Sequence, residues 1–215
     1  MNPGVQTTIL IIVLLILALF GWGSKTMEEA NGRLRSVVLF LFAYALATAW
    51  DVSTGGWQAN LGGVLMPIAL TAWALFHTSS WSYRLQWLMG VLTVASVLVV
   101  LMALVPLDPA FFPLDGVYLY PATAAFVSVI SVKRPFAALT IAVVGIALAA
   151  LVDPLIHDRM DVGSIVFGGA EVRDLMSYTA CGVLFGHGVY QAAARFAVGL
   201  FKGLFGGREG GPEHV

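Results

Sequence analysis

Long apolar runs separated by short polar breaks dominate the chain. Seven of these runs are long enough to be membrane-spanning helices. A bilayer's hydrocarbon core is about 30 Å thick, so a helix crosses it with roughly 17 to 25 apolar residues. The runs cover about Val5 to Trp22, Leu34 to Trp50, Trp57 to Phe76, Arg84 to Val105, Val117 to Val132, Pro135 to Val152 and Glu171 to Phe201. Asp51 to Gly56 reads as a short turn, broken by Gly55 and Gly56. Asp108-Pro109 and Asp153-Pro154 each read as a helix cap followed by proline at the first helical position. A short apolar piece, Val162 to Gly169, leads into the seventh run. The pattern predicts an all-α polytopic transmembrane bundle of seven spans, with six as the alternative. It forms one domain over 1–205, followed by a glycine-rich, disordered cytoplasmic tail over 206–215.

The seventh run differs from the others because polar groups occur all along it. At helical spacing Arg173, Ser177, Ala180, Leu184, His187 and Gln191 fall near one line. Gly182 and Gly186 form a G-x-x-x-G pair, which allows a neighbouring helix to approach closely in lipid. Polar groups facing hydrocarbon go unsatisfied, so this stripe belongs inside the bundle, and the other helices are expected to pack around the last one. The sixth run, rich in alanine and glycine, is expected to pack closely as well.

Composition strengthens the membrane reading. Hydrophobic residues make up 59% of the 215, and charged residues 11%, against roughly 25% charged in soluble domains. A net charge of -1 leaves no basic patch to meet phosphates, which excludes nucleic acid as a partner. The first run lacks a basic n-region and a small-residue cleavage site, so it is expected to stay in the mature protein.

Charge also sets orientation. With the N-terminus outside, the inner regions hold Lys25, Arg33, Arg35, Arg84, Lys133, Arg134, Arg195, Lys202 and Arg208, and the outer regions hold only Arg159 and Arg173. Nine against two follows the positive-inside rule. It also favours an odd span count, because the basic first loop and the basic tail must share a side. The C-terminus is then cytoplasmic and the protein a multi-pass protein of the cell membrane. Trp22, Trp50, Trp57 and Trp81 fall at span ends, where aromatic rings favour the interface.

The same topology gathers eight acids outside, among them Asp51, Asp115, Asp153, Asp158 and Asp174. Asp153, His157 and Asp158 could present carboxylate and imidazole together, a ligand type suited to Zn²⁺ or Mn²⁺. Helix capping and solvation explain the same acids without a metal. No cofactor is expected, although a divalent metal fits that trio. The chain has no H-E-x-x-H, C-x-x-C, G-x-S-x-G or Walker-type glycine loop, so no motif supports catalysis.

His187 lies thirteen residues beyond Asp174, or roughly 20 Å along a helix, in the inner half of the membrane. An ionisable group at that depth is a functional candidate; the plainer alternative is a histidine bonded to a neighbouring helix. His187, Gln191, Ser177, Arg173 and Asp174 are the candidate ligand or solute path. For Arg173 and Asp174 the plainer alternative is a rim ion pair that holds the loop. The expected function is binding or passage of a small solute or ion, or membership of a larger membrane assembly, with a membrane-protein partner or second copy. The alternative is a membrane enzyme with an outward Asp/His metal site. Seven spans invite comparison with retinal proteins, but Lys202 lies beyond the last span, which leaves no buried lysine for a Schiff base.

The opening Met1-Asn2-Pro3-Gly4, the apolar run closed by Gly21-Trp22 and the overall size resemble the YphA family of small multi-span membrane proteins of spore-forming Gram-positive bacteria. The resemblance implies a bacterial cytoplasmic membrane and supplies no catalytic residue.

Overall fold

The computed structural model describes residues 4–20, 34–54, 57–77, 80–107, 115–156 and 165–205. Most of them are helical. The helices are α1 (Val5–Leu19), α2 (Leu34–Thr48), α3 (Leu61–His77), α4 (Trp81–Leu104), α5 (Gly116–Ser131), α6 (Pro135–Ile156) and α7 (Ala170–Phe205). Each falls on one of the seven apolar runs, with ends within a few residues of those expected. The tail 206–215 and the pair Asp108-Pro109 lie outside the described residues.

Two of the helices, Trp81–Leu104 and the Pro135–Asp153 stretch of α6, are long and apolar enough to cross a membrane. Val5–Ile16, Leu61–Phe76 and Gly116–Ser131 are shorter apolar stretches. Exposed large apolar side chains occur on every helix. Ile12 and Ile16 on α1, Phe42 on α2, Ile68 on α3, Met89 on α4, Phe126 on α5 and Phe185 on α7 are all exposed. Water would penalise such a surface, since contiguous exposed apolar patches are rare on soluble monomers.

The centre of the bundle is α6, which corrects the expectation that α7 is threaded through the middle. Ala138, Ile141, Ala142, Val143, Ile146 and Ala149 of α6 are completely buried, and α6 packs against α3, α4, α5 and α7. The cause is side-chain size. Small residues let neighbours approach from several sides, and van der Waals packing then holds helices together where lipid removes the hydrophobic drive. Gly145 lies against Val94 of α4, and Gly90 of α4 lies against Ile141. Trp87 Nε1 donates to Thr140 Oγ1 at 2.9 Å, tying the same two helices. The α7 helix flanks this core, and its G-x-x-x-G pair does what its spacing predicts. A Cβ on Gly182 would stand 3.1 Å from Ala125 Cβ of α5, and one on Gly186 3.6 Å from Val129 Cγ2.

Two further expectations need correction. The α6 helix does not stop at Val152 but continues through Asp153 and Pro154 to Ile156. Proline there removes a backbone donor and sets its ring against the carbonyl four residues earlier, and the helix ends two residues later. Residues 51–60 are not a turn followed by a helix start. They form strands β1 (Asp51–Thr54) and β2 (Trp57–Asn60), paired antiparallel with Thr54 opposite Trp57. The apolar piece before α7 supplies β3 (Ile165–Phe167), parallel to β2. A two-residue Gly-Gly link between Val-Ser-Thr and Trp-Gln-Ala is a hairpin signal, and the apolar runs on either side masked it.

The sheet caps one end of the bundle. Gly63 in the first turn of α3 touches Gly168, so closely that a Cβ on either would overlap the other's backbone. Gly168 has φ +63, in the left-handed region where a side chain is strained.

Candidate functional site

The bundle end carrying the sheet also holds a buried polar cluster where α1, α2 and α7 meet. Two consecutive residues in the first turns of α7 build it. Asp174 is 6% exposed, and its carboxylate accepts from Gly4 N at 2.8 Å, Thr7 N at 2.8 Å and Thr7 Oγ1 at 2.6 Å. These are donors at the start of α1. A helix leaves its first N–H groups without internal partners and carries partial positive charge there, so a carboxylate is the fitting acceptor. Arg173 serves the opposite kind of helix end. Its Nη1 donates to Thr48 O at 2.7 Å, at the C-terminus of α2, where partial negative charge favours a cation. Among the described residues, then, the two side chains engage two different helix ends.

Asn60 completes the arrangement. It is 2% exposed, and its Nδ2 donates to Thr48 O at 2.9 Å and to Asp51 Oδ1 at 2.8 Å. Its Oδ1 accepts from Gly63 N at 3.1 Å and so caps α3. Thr48 O thus receives Arg173 from α7 and Asn60 from the sheet. Gly62 makes room for this, because a Cβ there would stand 2.6 Å from Thr48 Cγ2.

Ser177, one turn beyond Asp174, is buried, and its Oγ lies 3.5 Å from Thr7 Oγ1. Tyr44 of α2 is 5% exposed and close enough to Ser177, Arg173 and Asp174 to feel each of them. Two donors here are buried without a partner among the described residues, the Tyr44 hydroxyl and Arg173 Nε. Unsatisfied buried donors are uncommon, and each costs roughly 1–3 kcal/mol.

His187 is buried at 4% exposure further along the same face of α7, and its Nε2 also lacks a partner among the described residues. The helical rise separates it from Asp174 by roughly 20 Å, so it belongs to a second location. Between them lie the buried residues Thr179, Ala180 and Val183, and the Thr179 hydroxyl has no partner among the described residues. Of the candidate path, Arg173, Asp174 and Ser177 come together, His187 lies apart on the same buried line, and Gln191 lies on α7 with its side chain outside the described part.

Asp153 lies in the last turn of α6, whereas His157 and Asp158 fall outside the described residues. Among the described residues no three His, Cys, Asp or Glu side chains stand together as a metal site. Asp115, read only as one of several outer acids, caps α5 by accepting from Val117 N at 3.4 Å.

Sequence reasoning missed Thr7, Tyr44, Thr48 and Asn60. Asn60 immediately before an apolar run was a readable N-cap signal. The others could not be read, because a threonine and a tyrosine inside apolar runs become site residues only once a distant arginine and aspartate are placed beside them. No protein family matches the chain, and neither a curated protein nor a solved structure is similar to it.

Proposed function

We propose that the protein is a seven-span protein of a bacterial-type plasma membrane, N-terminus outside and C-terminus cytoplasmic, that binds or passes a small solute or ion. A role as a subunit of a larger membrane assembly is compatible with the same reading. The observation that carries it is the buried face of α7, with the Arg173–Asp174–Ser177 cluster near one end and the unpartnered imidazole of His187 further in. Ionisable groups inside an apolar-coated bundle are costly and recur where solutes or protons are handled. The exposed apolar side chains of all seven helices support the lipid setting, and the nine-to-two distribution of basic residues supports the orientation.

Purified protein reconstituted into liposomes with a trapped pH indicator tests this reading. Gradients of protons, sodium, potassium and ammonium salts of small organic acids are applied in turn. The wild type is expected to dissipate at least one gradient faster than empty liposomes, and His187→Leu to abolish the difference while inserting normally. Wild-type traces that coincide with those of empty liposomes for every gradient end the transport reading.

A further inference from the structure

Among the described residues the guanidinium of Arg173 is engaged on one side only. Its Nη1 is fixed on Thr48 O, while Nε is buried and unpartnered. The Nε and Nη2 edge is the one that presents two parallel N–H groups to a carboxylate. Nη2 lies near Gly4, where a Cβ would stand at an ordinary contact distance of 3.5 Å. The Tyr44 hydroxyl, 5% exposed and likewise unpartnered among the described residues, belongs to the same cluster, and the Ser177 hydroxyl beside it lies 3.5 Å from Thr7 Oγ1.

Arg173 Nε and the Tyr44 hydroxyl can donate, and among the described residues neither has an acceptor. Asp174 does not fill that role. Its two oxygens already take three donors at the start of α1, and that helix end offsets its charge. What remains is a guanidinium N–H and a phenol hydroxyl, both buried and without an acceptor among the described residues. We infer that Arg173, Tyr44 and Ser177 form a binding site for a small carboxylate, whose two oxygens would take the Nε and Nη2 edge of Arg173 while Tyr44 donates to one of them.

The inference rests on the solute-binding reading above and names the solute class. The contacts require a planar two-oxygen group at a site buried among three helices. The tetrahedral phosphate of a lipid headgroup suits the edge less well, so phosphate becomes a comparison in the test.

The test uses full-length protein in detergent, with thermal unfolding followed in sodium acetate, sodium phosphate and sodium chloride at equal ionic strength. Acetate is expected to raise the unfolding midpoint saturably, beyond chloride and phosphate. Tyr44→Phe should fold normally, since it deletes a hydroxyl that has no partner. It should weaken the apparent acetate affinity about tenfold, the usual cost of one hydrogen bond to a charged group. Ser177→Ala should weaken it less, and Arg173→Lys, which keeps the charge but loses the fork, should abolish the acetate effect. Acetate no better than chloride, phosphate equal to acetate, or unchanged affinity in Tyr44→Phe would each overturn the inference. Gradient dissipation that depends on His187 but is indifferent to carboxylates would sink this site and leave the broader function standing.

Discussion

Asp174 divides its two carboxylate oxygens among three donors of α1, so Asp174→Asn removes an acceptor as well as a charge. The change should cost about 1–3 kcal/mol, the scale of a lost cap plus an unsatisfied buried group. It would be read as a lower unfolding midpoint in detergent together with faster amide exchange in residues 5–8. Asn60 provides a second test at this scale. Asn60→Asp keeps the oxygen that caps α3 but loses the donors to Thr48 O and Asp51, and brings a charge towards two acceptors. It should therefore be more damaging than Asn60→Ser, which keeps a short capping side chain without a second acceptor; an equal loss in thermal unfolding would show that only the cap matters. Arg173, Asp174 and Ser177 were legible as a polar line on one helix face, because spacing alone puts them there. Their partners were not, since Gly4 and Thr7 stand about 170 residues away in sequence. Hydrogen bonds of that separation leave no local pattern.

The element scale was the most legible. All seven helices begin and end close to where apolar runs meet polar breaks, because those breaks are the places where backbone groups can be satisfied outside the bundle. The strands were hidden for a related reason. Val52, Trp57, Ile165 and Phe167 look like the fringes of apolar runs, and only pairing across three segments distinguishes strand from helix start. The central position of α6 over α7 was misjudged because a polar stripe drew attention, whereas small side chains decided the packing. Gly145 is where this can be tested. A Cβ there would lie 2.6 Å from Val94 Cγ1, so Gly145→Ala should force α4 and α6 apart at a cost of about 1–3 kcal/mol. Gly186→Ala, whose Cβ would stand an ordinary 3.6 Å from Val129, should change the unfolding midpoint little. Comparable losses in the two variants would contradict the assignment of the core to α6.

At the scale of the molecule, two helices are long and apolar enough to cross a membrane, and the proposed orientation rests on where the basic residues fall. In a Cys181→Ser background, cysteines at positions 25 and 208 should both resist a membrane-impermeant maleimide in intact cells and react after lysis, whereas one at position 51 should react from outside. Labelling of 25 and 208 on opposite sides would require an even number of crossings and restore the six-span alternative. At 36 residues, α7 is about 54 Å long at the helical rise. That is longer than the roughly 30 Å thickness of a bilayer's hydrocarbon core.

The clamp formed by Arg173 and Asp174 also bears on how the chain matures. A ribosome delivers α1 and α2 first, yet the groups that fasten the start of α1 and the end of α2 are synthesised only when α7 emerges. Strand β2 likewise waits for β3 on its second edge. During biogenesis the first helical hairpin is therefore left untied until the nascent chain is nearly complete, and a chain cut short before α7 would leave the quality-control proteases an untethered amino-terminal pair.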